Sequence, residues 1–169
     1  MSQFQKTDLK ALSGDFFTRL GKEWMLVSAG DAHSFNTMTA SWGGIGVLWN
    51  KNVSFIFIRQ SRHTMQFLDS NDYYSLSFFN GKMMKELTFC GKNSGRDVDK
   101  MKETGLIPVF DEKAPAFEQA ELVLICKKLY KQPMDAGCFL DKELPDRFYA
   151  DNDWHETFVG EIVDVLIRP

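Results

Sequence analysis

The 169-residue chain has only three cysteines and three histidines. Cys90, Cys126 and Cys138 are odd in number and widely spaced, with no Cys-x-x-Cys and no Cys/His cluster. That pattern supports neither a disulfide framework nor a zinc site, and it suits a reducing cytoplasm. No run of about 18 apolar residues exists, so no helical membrane span is expected. The opening MSQFQKTDLKALSGDFF lacks an uninterrupted apolar stretch and does not read as a secretion signal. With 20 basic against 23 acidic residues and a net charge of −3, no general basic field attracts nucleic acid. No GxGxxG follows a strand-like run and no GxxxxGK[ST] occurs, so the usual nucleotide loops are missing. No repeat, low-complexity tract or Pro/Gly/Ser linker divides the chain. Residues 1–169 therefore read as one domain, long enough for a single core to bury most of its apolar surface.

What the chain does have is aromatic surface: 14% of residues, including 15 Phe. So much flat apolar area points to a ligand that stacks or to a large subunit interface. Strand-like runs dominate. WMLVSAG (24–30), VSFIFIR (53–59), DYYSLSFF (72–79), AELVLICKKLY (120–130) and TFVGEIVDVLIR (157–168) are β-rich. VSFIFIR reads as covered on both faces. The last run alternates imperfectly, as in a curved barrel strand with a partly wet face. RHTMQFLDSN (62–71) and GKMMKELTFCG (81–91) have short helical spacing. SGRDVDKMKETG (94–105) opens on Ser-x-x-Asp, a capping box that would start a helix at Ser94 and close it at Gly105. Many strands and few short helices predict a mainly β (α+β) fold: a β-barrel with short flanking helices rather than a doubly wound sheet.

Four stretches carry possible chemistry. In NTMTASWGG, strand geometry puts Asn36, Met38, Ala40 and Trp42 on one face and Thr37, Thr39 and Ser41 on the other. A row of hydroxyls suits a half-exposed strand, or a wall that hydrogen-bonds a polar cofactor, with Gly43 and Gly44 allowing close backbone approach. RQSRHT brings Arg59, Ser61, Arg62 and Thr64 to the junction of a strand and a helix. Guanidinium forks and free helix amides there suit a phosphate; equally, this is a basic loop with Thr64 as helix cap. Lys100 lies beside the start of the next helix and is otherwise a solvated lysine. His155 directly precedes the final strand, and Cys90 beside Phe89 reads as structural.

Taken in order, WMLVSAGD, NTMTASWGGIGVLWNK, VSFIFIRQSRHT, GKNSGRDVDK and HETFVGEIVDV resemble the flavin reductase-like family, the FMN-binding split-barrel proteins that include flavoredoxin. The resemblance runs from about Trp24 to Asp164. It implies a Greek-key split barrel, a homodimer, and FMN near the subunit interface. By that resemblance Asn36, Thr37, Met38, Thr39, Ala40, Ser41 and Trp42 line the ring and ribityl chain. Arg59, Ser61, Arg62 and Thr64 hold the phosphate with help from Lys100, and His155, the candidate catalytic group, approaches the flavin or the phosphate from the start of the final strand. The implied activity is hydride transfer from NADH or NADPH to FMN; the alternative is a flavoredoxin-like electron carrier with tightly bound FMN and a redox protein partner. Two positions depart from the family pattern. Gln60 stands where relatives often have proline, which is expected to loosen the phosphate loop. Asn93 stands where many pyridine-nucleotide users have histidine, which weakens the expectation of nicotinamide contact there.

Overall fold

The computed structural model describes residues 4–12 and 14–169. The described residues form ten strands: β1 (Gln5–Thr7), β2 (Met25–Gly30), β3 (Phe35–Ala40), β4 (Gly43–Leu48), β5 (Lys51–Arg59), β6 (Tyr73–Phe78), β7 (Pro108–Val109), β8 (Ala116–Phe117), β9 (Leu122–Pro133) and β10 (His155–Ile167). Five short α-helices accompany them among the described residues: α1 (Phe16–Gly21), α2 (Thr64–Ser70), α3 (Met84–Lys92), α4 (Lys100–Thr104) and α5 (Glu143–Phe148). The main sheet is antiparallel and runs β3-β2-β6-β9-β10-β5-β4, with β1 added to the far half of β10. Its two edges, β3 and β4, are separated in sequence by Ser41 and Trp42 alone, so the sheet must curl until its ends meet. No ladder joins β3 to β4. The result is a split Greek-key barrel, with the split at Ser41–Trp42.

Closure depends on glycine at one point. Gly43 has φ +158°, and a Cβ there would sit 2.7 Å from the Phe55 carbonyl oxygen. Any side chain would push β4 off β5. Strand β10 bends through two register shifts against β9, between Val159 and Gly160 and between Ile162 and Asp164. These irregularities account for the imperfect alternation of its sequence. Phe158, Ile162 and Val165 therefore face the barrel interior with Val27, Ile56, Ile58, Leu76 and Leu124. A second apolar layer lies outside, where Leu26, Val123, Ile125 and Leu166 pack with Leu87, Cys90, Leu106 and Phe117. Burial on both faces of β2 and β9 gives these runs their continuous apolar character, each large side chain contributing about 1.5–3 kcal/mol.

Two local expectations are revised. The helix expected from Ser94 begins instead at Lys100, capped by Asp99, whose carboxylate accepts from the amides of Met101 and Lys102. Residues 94–98 form a turn in which the Ser94 hydroxyl accepts from Arg96 N. Gly105, at φ +68°, ends α4 as expected. Thr64 is the first residue of α2 rather than its cap; its hydroxyl accepts from Asn36 Nδ2 at 2.8 Å.

Candidate functional site

The ends of five elements meet at the barrel split: β3, the last residue of β5, the start of α2, the end of α3 and the first residue of β10. Two neighbouring cavities lie there, of about 320 and 260 Å³, and Met38, Arg59 and Arg62 line both. They form one cleft with two chemically different ends.

The first end is cationic. Arg59, Arg62, Lys92, Arg96 and Lys100 line it, against the carboxylates of Asp151 and Asp153. The cations differ in what they have to spare. Arg59 is committed: it donates to the Phe148 and Asp153 carbonyls at 2.7 and 2.9 Å and pairs with Asp151 at 3.3 Å. Ser61 is committed too, its hydroxyl donating to Asp153 at 2.6 Å. Lys100 is buried, and its ammonium donates to the carbonyls of Thr37 and Cys90 at 2.7 and 2.9 Å, with burial lowering its pKa. Arg62 uses one nitrogen on the Gly91 carbonyl at 2.7 Å, and Arg96 uses one on the Ser61 carbonyl at 3.2 Å. The remaining N–H groups of both are unspent, as is the Lys92 ammonium among the described residues. An anion at this end therefore finds its free donors on Arg62, Arg96 and Lys92.

The second end is aromatic. Met38, Thr39, Ala40, Ser41, Trp42, Phe57 and His155 line it. Trp42 is 45% exposed, and its ring centre lies 5.4 Å from those of both His155 and Phe148. His155 is buried, with Nδ1 2.8 Å from the Tyr149 hydroxyl. Burial first, then the Arg59 charge, pushes its pKa down to about 4, so the ring is neutral near pH 7. Thr39 donates to the Leu87 carbonyl and so fastens β3 to α3.

The residues picked out in the sequence thus converge, with one exception. Asn36, Met38, Thr39, Ala40, Ser41, Trp42, Arg59, Ser61, Arg62, Thr64, Lys100 and His155 all line the cleft. Thr37 lines neither cavity; its hydroxyl pairs with Ser28 at 2.8 Å and donates to the Val27 carbonyl. Phe57, His63, Lys92, Arg96, Asp151 and Asp153 also line the cleft and were not singled out. Phe57 is the one with a usable signal, being the strand residue two before Arg59 on the same face. Gln60 does not loosen the loop: its amide donates to the Trp154 carbonyl at 3.1 Å, a bond proline could not make, and its side chain donates to Glu156. Asn93 spends its side chain on the Phe89 carbonyl at the end of α3. Cys90 is a buried thiol pushed up to about 11 by burial, as suits a structural residue.

A split antiparallel barrel with one cleft at its seam, cationic at one end and aromatic at the other, defines a class of ligand-binding barrel. A family model, the flavin reductase like domain, matches residues 17–169, and the chain belongs to that family. Among solved structures, flavoredoxin from Methanosarcina acetivorans is 23% identical, with 85% of this chain and 67% of that one covered at a TM-score of 0.64. An FMN-binding domain of a flavin reductases-like enzyme from Shewanella baltica is 15% identical, with 98% and 77% covered at 0.69. An NADH:FAD oxidoreductase of Streptomyces globisporus, solved with NAD and FAD fragments, is 17% identical, with 85% and 73% covered at 0.63. At these identities the likeness establishes a shared fold. No curated protein matches the chain.

Proposed function

We propose that the cleft binds FMN and that the protein is a flavin reductase-type oxidoreductase taking hydride from NADH or NADPH. The observation that carries this reading is the continuity of the two cavities through Met38, Arg59 and Arg62. A ligand with a phosphate at one end and a flat ring at the other matches that polarity, and flavin-binding relatives with the same fold support it.

The donor inventory fits. Arg62, Arg96 and Lys92 have free N–H groups for a phosphate, and Lys100 adds positive charge from beneath without leaving its two carbonyls. Arg59 and Ser61 serve instead to fasten the 148–154 segment over this end. At the other end Trp42, Met38 and Phe57 offer flat and apolar surface to a ring. Ser41 and His155 supply polar groups at its edge. Bound FMN would supply the two-electron acceptor chemistry of its ring. The chain itself supplies binding, alignment and exclusion of water, and no strong acid or base is needed for hydride transfer. His155, neutral near pH 7, is the candidate group in contact with the reacting ring.

A second reading is an electron carrier that keeps FMN and exchanges electrons with a redox protein. Asn93 favours it: its side chain is spent on the helix end and offers nothing to a nicotinamide. Anaerobic mixing of the FMN-loaded protein with NADH and with NADPH separates the two. Bleaching of the yellow colour supports the reductase. Failure with both nucleotides, but reduction by a reduced ferredoxin-type donor, supports the carrier.

A homodimer belongs to the same proposal. Val47 and Trp49, on the hairpin of β4 and β5, are 72% and 55% exposed, and Leu9, Leu12, Ile45, Val47 and Ile162 line an apolar hollow beside them. Three unpaired thiols suit a reducing cytoplasm as its setting.

A further inference from the structure

Residues 148–154 are tied to the end of β5 and the loop after it by several hydrogen bonds. Arg59 donates to two of their carbonyls, Ser61 is held by Asp153 through both its amide and its hydroxyl, and the Gln60 amide donates to Trp154. The Arg59 guanidinium also lies over the Tyr149 ring, 5.5 Å from its centre. On another side Tyr149 stacks on Trp154, with centres 4.4 Å apart and planes 14° from parallel. The effect of these contacts is to fix one atom. The Tyr149 hydroxyl is buried and is held 2.8 Å from His155 Nδ1.

That hydroxyl has two acceptors within reach, His155 Nδ1 and the Met134 thioether at 3.3 Å. Imidazole nitrogen is much the stronger acceptor, and a phenol keeps its proton at neutral pH. Burial raises the Tyr149 pKa further. The proton therefore lies on the tyrosine and points at Nδ1. Nδ1 is then an acceptor, and the imidazole proton must sit on Nε2. Nε2 makes no hydrogen bond to the described residues, and His155 lines the aromatic end of the cleft beside Trp42.

We infer that Tyr149, clamped by Arg59, is a positioning residue that locks His155 in the Nε2–H tautomer and so gives the ring end of the cleft a fixed neutral hydrogen-bond donor. The placement of that donor rests on the flavin reading; the tautomer does not. The charged and titratable groups around His155 are Arg59 from β5, Arg62 from the loop after it, and Asp153 and Tyr149 from the clamped segment. The two arginines oppose a second proton on the ring and Asp153 favours one. The donor stays neutral from about pH 6 to 8.

The test is two-bond ¹H–¹⁵N spectroscopy of the flavin-free full chain near pH 7, with the His155 signals assigned by their loss in His155→Gln. The wild-type protein should show an unprotonated Nδ1 and a protonated Nε2. In Tyr149→Phe the two nitrogen shifts should converge, as the tautomers mix. Wild-type Nδ1–H, or identical shifts in wild type and Tyr149→Phe, overturns the inference. If Tyr149→Phe does not fold, the wild-type spectrum still decides the tautomer, and Arg59→Gln tests the clamp by the same convergence. FMN is then added and its binding followed by fluorescence. If FMN binds and the Nε2 signal moves, the donor faces the ring. If FMN binds and that signal stays put, the placement is wrong. If FMN does not bind, the flavin reading and the donor's placement fall, while the tautomer result stands.

Discussion

Arg62→Ala separates phosphate recognition from ring recognition. Arg62 anchors one guanidinium nitrogen on the Gly91 carbonyl and leaves the others at the point where the two cavities join. A charge-assisted contact from such a half-buried group contributes about 1.5–3 kcal/mol. Its loss should raise the Kd for FMN roughly 10- to 150-fold. Riboflavin has the same ring and no phosphate, so its affinity should change by less than about 3-fold, which is under 1 kcal/mol. Flavin fluorescence titrations of both ligands against wild type and variant give the comparison directly. Raising salt should narrow the FMN difference and leave riboflavin unmoved. Equal weakening of both ligands, or FMN binding unchanged, would refute the phosphate assignment.

Lys100→Met should behave differently. It strips the donor from two buried carbonyls, so urea denaturation should show a loss of at least about 1–3 kcal/mol whether or not flavin is present. Gly160→Ala puts a Cβ 2.7 Å from Tyr74 Cζ, inside the barrel, and should cost about 1–3 kcal/mol by the same assay. His155 gives a pH dependence. Its folded pKa lies below the unfolded value, so the unfolded chain binds the proton first as pH falls. Its contribution is intact above about pH 6.5 and is lost on descending toward pH 4, reaching about 2–3 kcal/mol. Denaturation at pH 7 and pH 4.5 should show that loss in wild type and a smaller one in His155→Gln; equal losses would contradict it.

The barrel was legible because its strands carry their environment in their composition. Runs such as LVLIC are apolar at every position because β9 is covered inside and out, and the broken alternation of β10 is the trace of two bulges. The cleft lining was legible only through the family resemblance: taken alone, the hydroxyl row suits a half-exposed strand and the cations of RQSRHT suit a basic loop. What individual cations do was not. Arg59 and Arg62 look alike in the sequence, yet one is spent on residues 148–153 and the other faces the cleft. That difference depends on contacts across about 90 positions, between Arg59 and Asp151 or Asp153. Thr37 and Thr39 are likewise equivalent by alternation, but Thr37 meets Ser28 in the core while Thr39 reaches α3. The start of α4 was misplaced because Ser94 and Asp99 are both good caps five residues apart. The later one is used: the Asp99 carboxylate takes the amides of Met101 and Lys102, while the Ser94 hydroxyl takes Arg96 N within a turn.

The most direct measurement is a crystal structure of the protein soaked with FMN. Phosphate density is expected between Arg62, Arg96 and Lys92, and the flat ring against Trp42 with His155 Nε2 at its edge. Flavin density anywhere outside the Ser41–Trp42 seam, or a phosphate turned toward Asp153, would contradict it.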